Sequence, residues 1–525
     1  MTDPVVQDNL TAKQQDYAVF LPAISGFYSA FIGRQRNYHY VDPARFPQGL
    51  TDMEQLNWLN SSKALFPYKW SLYSGGHANL DLNKQDWSED MVRNREPGSF
   101  MLGDSGGFQI AKGLWEGDWK ANSGCTRAQN KRSAVLTWLD SIADYGMILD
   151  IPTWVIHSPE AAEACGIKTL SEAFEATKFN NEYFIDNRRG YQDGGAKFLN
   201  VLQGDNHSSA ETWYQEMKKF CDPAQYPGRH FDGWAMGGQN MCDVHLILKR
   251  LVALRYDNLL QPGVHDWMHF LGTSKLEWAV LLTVIQRAVR RYVNANFTIS
   301  FDCASPFLAT ANGQVYFENV FPHDDKWSYR MSPSADDKKY SQDTRPWRQG
   351  VLADAIHTRW QDSPVSNLLR MKDICYYSPG ALNKNGKEGK TSWDSFSYAL
   401  LMAHNVWMHL TAVQEANRRF DAGEHPAMMQ KDGGDYEYFE DIVDSVFAAP
   451  DRDSANTIID KYSYYWMQII GTRGFKGKKA LNARTNYNKF FTSGQPVVDN
   501  IYDDSVVLND RKLHVMEENS RNESN

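Results

Sequence analysis

The sequence predicts an α/β fold, a (β/α)8 TIM barrel with insertions and a C-terminal appendage. Three observations predict it. Eight short apolar segments recur between residues 18 and 303, most of them ending in small or polar residues. Helical stripes lie between many of them, and strands alternating with helices build a parallel sheet. No GxGxxG turn is present, which disfavours the alternative, an open doubly wound sheet.

The segments are 18–22 (AVFLP), 70–76 (WSLYSGG), 100–104 (FMLGD), 147–150 (MILD), 198–204 (FLNVLQG), 233–238 (GWAMGG), 268–272 (MHFLG) and 297–303 (FTISFDC). Each has the length and apolar character of a buried strand. Between them Val135, Trp138, Leu139 and Ile142 fall at i, i+3, i+4, i+7. So do Leu276, Ala279, Val280 and Thr283, and again Val244, Ile247, Leu248 and Leu251; Trp213, Met217 and Phe220 form a shorter stripe. Such stripes are the buried faces of amphipathic helices.

After residue 303 the texture changes. Residues 322–350 are polar and read as a long loop or insertion, and 379–392 are rich in Pro, Gly and Lys. A helix is expected from about Trp393 to Phe420. The chain therefore divides into a polar tail (1–15), a barrel with two insertions (16–433) and an appendage (434–525). Within the appendage, 471–491 carries Arg473, Lys476, Lys478, Lys479, Arg484 and Lys489 with no acid, interleaved with Phe475, Tyr487, Phe490 and Phe491. Basic side chains among aromatic ones suit a nucleic-acid backbone and its bases.

Composition bounds the partners. Of 525 residues 42% are hydrophobic and 23% charged, as in a soluble globular protein. The net charge of −9 confines any nucleic-acid contact to local basic patches. Six scattered cysteines with no CxxC pair indicate neither a disulfide framework nor a zinc cluster, and fit a reducing interior. The N-terminus is polar and acidic, unlike a signal peptide. No apolar run reaches the ~18 residues of a membrane span. A cytoplasmic location is expected.

A barrel gathers its strand ends at one mouth. Asp104, Asp150, Gln203, Gly238 and Asp302 all terminate expected strands. Two carboxylates facing a flat ligand suggest glycosidic chemistry, one acting at the anomeric carbon and the other on protons. Gln203 adds an amide, and Gly237 and Gly238 add unobstructed backbone N–H groups. An aspartate, an amide and a backbone N–H can together read the edge of guanine. A helix N-cap is the alternative for any single aspartate.

These residues resemble the queuine/archaeosine-type tRNA-guanine transglycosylases over roughly residues 15–318. The resemblance rests on Asp104-Ser105-Gly106-Gly107-Phe108-Gln109, on Phe301-Asp302-Cys303 with Pro306 and Asn312-Gly313-Gln314, on Val201-Leu202-Gln203-Gly204, on Trp234-Ala235-Met236-Gly237-Gly238 and on Leu271-Gly272, with an echo at His404-Asn405. It implies base exchange by double displacement, with Asp302 as nucleophile and Asp104 as general base. It also implies a base held by Asp150, Gln203, Ser105 and the Gly238 backbone, stacked on Phe108, with Leu271-Gly272 as pocket floor.

Two departures shape the expectation. The family's structural zinc is held by three cysteines and a histidine, whereas only Cys375 stands in that region; no zinc and no other cofactor is expected. Leu308 and Ala311 stand where the family carries arginines that contact the tRNA loop. The chain is thus most similar to the DNA-acting (DpdA-type) relatives of phages and bacterial genomic islands. Their chemistry implies insertion of a 7-deazaguanine, preQ0 foremost, into DNA inside a bacterial or phage-infected cell. The alternatives are a divergent tRNA enzyme, a non-catalytic nucleic-acid-binding relative and, remotely, a carbohydrate hydrolase.

Overall fold

The computed structural model describes residues 16–38, 41–84, 87–204, 207–238, 243–351, 360–377, 391–430 and 438–463, with 465, 466 and 469. The 1–15 tail, most of 379–392 and the basic segment 471–491 lie outside these described residues.

All eight expected strands form: β1 (Val19–Pro22), β2 (Trp70–Ser74), β3 (Phe100–Asp104), β4 (Tyr145–Met147), β5 (Lys197–Leu202), β6 (Gly233–Met236), β7 (Trp267–Phe270) and β8 (Thr298–Cys303). They pair in parallel in the order β1-β8-β7-β6-β5-β4-β3-β2. The two ends of that order meet through a parallel bridge between Ala23 and Leu72, where Ile24 N–H donates to Leu72 O at 2.9 Å. The sheet is therefore a nearly closed (β/α)8 barrel. β2, β5, β6 and β7 each end two residues before the expected segment does, so Gln203 and Gly238 follow their strands, and β4 is displaced most. β4 starts at Tyr145 and stops at Met147, because Asp150 N–H turns back to Ile148 O at 3.0 Å and leaves the ladder.

The helices flank it: α1 (Gly26–Tyr38), α2 (Thr126–Ile142), α3 (Leu170–Asn187), α4 (His207–Met217), α5 (Val244–Tyr256) and α6 (Leu276–Tyr292). The apolar stripes read from the sequence lie in the core, with Trp138, Leu139, Ile247, Leu251, Leu276 and Val280 wholly buried. Within the barrel, side chains alternate in and out with period two. The opening residues of four strands form an aromatic floor. Trp267 stacks on Phe100 with ring centres 4.7 Å apart and touches Tyr145 (5.2 Å) and Trp70 (5.9 Å).

Beyond the barrel, β9 (Gln314–Val320) and β10 (Ser328–Pro333) form an antiparallel hairpin. The 322–350 stretch is thus not one polar loop. It contains β10, and it buries Trp327 and Trp347. Its polar composition hides a strand whose pairing is made by backbone groups and of whose residues only Ser332 is fully buried. The expected long helix runs from Ser395 to Asp421 (α7). Its start is pinned by a buried ion pair, with Arg45 Nε and Nη2 each 2.8 Å from the Asp394 carboxylate. The last described helices, α8 (Phe439–Ala448) and α9 (Arg452–Lys461), pack on α6 and α5 and share the barrel's core through Phe439, Ile442, Phe447 and Trp466. Among the described residues no helix is long and apolar enough to cross a membrane.

Candidate functional site at the barrel mouth

Asp104 is the last residue of β3 and stands beside Ser74, the last of β2, in parallel register. The Ser74 hydroxyl donates to Asp104 Oδ2 at 2.5 Å and itself accepts from Gly76 N–H at 3.1 Å. The chain then turns sharply. Gly106 takes a left-handed φ of 85°, and a Cβ there would also lie 2.6 Å from the Trp115 ring. A Cβ on Gly107 would lie 2.5 Å from Asp150 O and 3.1 Å from Asp150 Oδ1. The paired glycines let the loop after β3 close against Asp150.

Asp150 is anchored from outside. Asn180 of α3 donates to Leu149 O at 2.7 Å, and Ile151 N–H donates to Thr177 Oγ1 at 2.9 Å. Arg132 of α2 in turn donates to Asn180 Oδ1. On the other flank Gln203, one residue past β5, donates through Nε2 to Asp150 Oδ2 at 2.8 Å. A Cβ on Gly237 would sit 2.6 Å from that same Nε2, so the Gln203 amide lies directly on the bare backbone after β6. Gly238, with φ of 53°, turns the chain away.

Asp302, near the end of β8, is held on one oxygen. Its Oδ1 accepts from Gly272 N–H at 2.9 Å and lies 3.1 Å from His269 Nε2. Among the described residues no hydrogen bond falls on Oδ2, and 12% of the Asp302 side chain stays exposed. Gly272 thus turns its N–H to Asp302, with half-buried Leu271 beside it.

The three aspartates share one electrostatic neighbourhood. Burial pushes the Asp104 carboxyl up, and the charge of Asp302 adds to the rise against the Ser74 hydrogen bond. Burial likewise pushes Asp150 up, to about 7, with Asp104 adding to the rise against the Gln203 hydrogen bond. Ser105 is buried beside them, and its Oγ has no hydrogen-bond partner among the described residues. Phe108 packs against Trp154, ring centres 5.8 Å apart, with Lys112 Nζ over both rings.

The barrel thus brings Asp104, Ser105, Asp150, Gln203, Gly237, Leu271, Gly272 and Asp302 to one mouth. Arg473, Lys476, Lys478, Lys479, Arg484 and Lys489 lie outside the described residues. His404 and Asn405 have structural partners. His404 Nε2 donates to Tyr316 O at 2.7 Å, and Asn405 bridges Tyr316 N, Thr310 Oγ1 and Gln314 O, tying β9 to α7. Leu308 and Ala311 are buried in the short helix Ser305–Ala311. Cys375 Sγ donates to Ala335 O, and among the described residues no group of three or more His, Cys, Asp or Glu is placed to hold a metal ion. The zinc of the resembled family therefore has no fitting ligand set within the described residues.

Ser74, His269, Thr177 and Asn180 escaped the sequence reading. Ser74 and His269 carried a usable signal: each is polar and falls on the inward period of its strand. Thr177 and Asn180 carried none, since polar residues on a helix usually mark its solvent face.

Chemically, the mouth offers a carboxylate with one bare oxygen, a second carboxyl that holds its proton more readily than usual, and an Asp–Gln pair suited to a planar donor–acceptor edge. Compared with known proteins, the chain matches no family model and no curated protein.

Proposed function

We propose that the chain is a guanine transglycosylase that replaces guanine in DNA with a 7-deazaguanine base, preQ0 foremost. The observation that carries this reading is the convergence of Asp104 from β3, Asp302 from β8 and Asp150 from the loop after β4 on a mouth lined by Gln203 and Gly237. Asp302 Oδ2 attacks C1′ of a guanosine that has left its stack. The C1′–N9 bond breaks, its electron pair stays on guanine, and N9 takes up a proton from Asp104. Guanine leaves and the deazaguanine takes its place. Asp104, now ionised, removes the incoming N9 proton; that nitrogen bonds to C1′ and the Asp302 ester is released. The raised affinity of Asp104 for its proton suits this alternation between acid and base. Asp150 accepts from N1–H and the exocyclic amine, while Gln203 and the Gly238 N–H meet the remaining edge.

Support for DNA over tRNA comes from Leu308 and Ala311. Both are apolar and buried where the resembled family places tRNA-contacting arginines. The test is exchange of labelled guanine and of preQ0 into duplex DNA and tRNA side by side. Incorporation into DNA, abolished by Asp302→Ala, is the expected result. Incorporation into tRNA alone would end the DNA assignment and leave the chemistry standing; incorporation into neither would end both.

A further inference from the structure

Beneath Asp302 a line of polar side chains runs through the barrel interior, which barrels of this class usually fill with branched aliphatic residues. Trp267 and His269 lie two apart on β7, and Ser300 and Asp302 two apart on β8, with His269 opposite Ser300 in register. Trp267 Nε1 donates to Ser300 Oγ at 2.8 Å. Ser300 Oγ lies 2.8 Å from His269 Nδ1, and His269 Nε2 lies 3.1 Å from Asp302 Oδ1. Both Ser300 and His269 are wholly buried.

Counting hydrogens sets the direction of each link. An indole N–H only donates, so Ser300 Oγ accepts from Trp267. At the other end an ionised Asp302 only accepts, so His269 Nε2 carries a proton and donates it to Oδ1; a neutral ring then accepts at Nδ1, and the Ser300 hydroxyl turns its single proton there. Every bond points the same way, from the barrel floor towards the carboxylate.

We propose that His269 is a positioning residue for Asp302. Fixed by Ser300 as the Nε2–H tautomer, it joins Gly272 N–H in holding Oδ1, and so assigns Oδ2 as the attacking oxygen. The attack itself rests on the exchange reading given above; the tautomer and its bond to Asp302 do not. When the ester forms at Oδ2, C1′–N9 breaks and the electron pair departs on N9. Oδ1 becomes the ester carbonyl and still accepts from both donors. When the ester collapses, the same two N–H groups receive the charge returning to the carboxylate. No proton travels along the column in either step.

The experiment has two arms on the full chain. In the first, nitrogen-15 NMR of the imidazoles, with His269 assigned through His269→Gln, reads the tautomer without substrate. The expected result is a neutral Nε2–H ring whose Nε2 signal moves in Asp302→Asn and whose tautomer is lost in Ser300→Ala. An Nδ1–H ring, or a signal indifferent to Asp302→Asn, overturns the proposal. In the second, single-turnover trapping of the glycosyl-enzyme on a guanine-containing duplex is compared with guanine affinity by calorimetry. His269→Phe should slow trapping about 100-fold, and His269→Gln, which restores an N–H donor, should recover most of that loss. Guanine affinity should stay unchanged in both variants, which a general loss of structure would not allow. Wild-type trapping in His269→Phe, or a Gln variant no faster than Phe, overturns the proposal. If the wild-type protein traps nothing on DNA or tRNA, the exchange reading fails, and the NMR arm alone decides the pairing of His269 with Asp302.

Discussion

Asp150 links the site to stability through its titration. In the unfolded chain its carboxyl titrates in the ordinary range, near 4. In the folded chain burial, reinforced by Asp104, carries it to about 7. Folding therefore favours the protonated form. The residue costs nothing below about pH 4, costs progressively more as pH rises to 7, and carries its full cost above that, on the order of 4 kcal/mol. Asp150→Asn should accordingly stabilise the unliganded protein at pH 8 and change it little at pH 4. Urea unfolding across that range checks this, and a pH-independent difference would refute it. A base that donates two N–H groups needs the ionised form, so guanine should bind more tightly as pH rises from 5.5 to about 7.5, by calorimetry. Gly107→Ala would drive a methyl into Asp150. It should weaken guanine binding at least about tenfold while circular dichroism stays unchanged.

At the scale of elements, α7 is the beam against which β1, β9, α1 and α6 are set. Its N-terminus depends on Asp394, which caps the helix through Ser397 N–H at 2.8 Å and pairs with Arg45. Both partners are buried. Arg45→Ala leaves an uncompensated carboxylate in the core and should cost about 3–5 kcal/mol in denaturant unfolding. A loss below about 1 kcal/mol would show that water reaches Asp394. The elements also mark how far the sequence could be read. The strands of the barrel and the stripe of α6 were legible, because burial on one or both faces writes an apolar period into the chain. β10 was not, since Arg330, Met331 and Pro333 are exposed, only Ser332 is buried, and Tyr329 packs against Tyr316 and His409, so no apolar period marks the strand. Asp104 and Asp302 were legible as strand ends, whereas Asp150, expected as one, lies three residues beyond β4. The support of Asp150 by Asn180 and Thr177 was not, because nothing local in α3 points to β4.

At the scale of the molecule, the C-terminal helices are tied to the outer helices of the barrel. Arg255 Nη1 donates to Phe447 O, Tyr256 Oη to Ala449 O, and Lys249 pairs with Asp460 at 2.7 Å. These contacts join α5 to the start of the appendage, whose basic segment follows in the sequence. Neutralising Lys476, Lys478 and Lys479 together should lower the slope of log affinity against log salt by up to about 3, measured by fluorescence anisotropy on duplex DNA. An unchanged slope would remove that segment from the nucleic-acid contact.

The aromatic floor of Trp70, Phe100, Tyr145 and Trp267 has a kinetic corollary. With stacked rings closing the far end of the barrel, the mouth is the route left to a ligand. Under the proposed exchange, an outgoing purine should then have to vacate before its replacement can sit, and initial rates should give parallel double-reciprocal lines, with free guanine competing against the incoming base; intersecting lines would refute this.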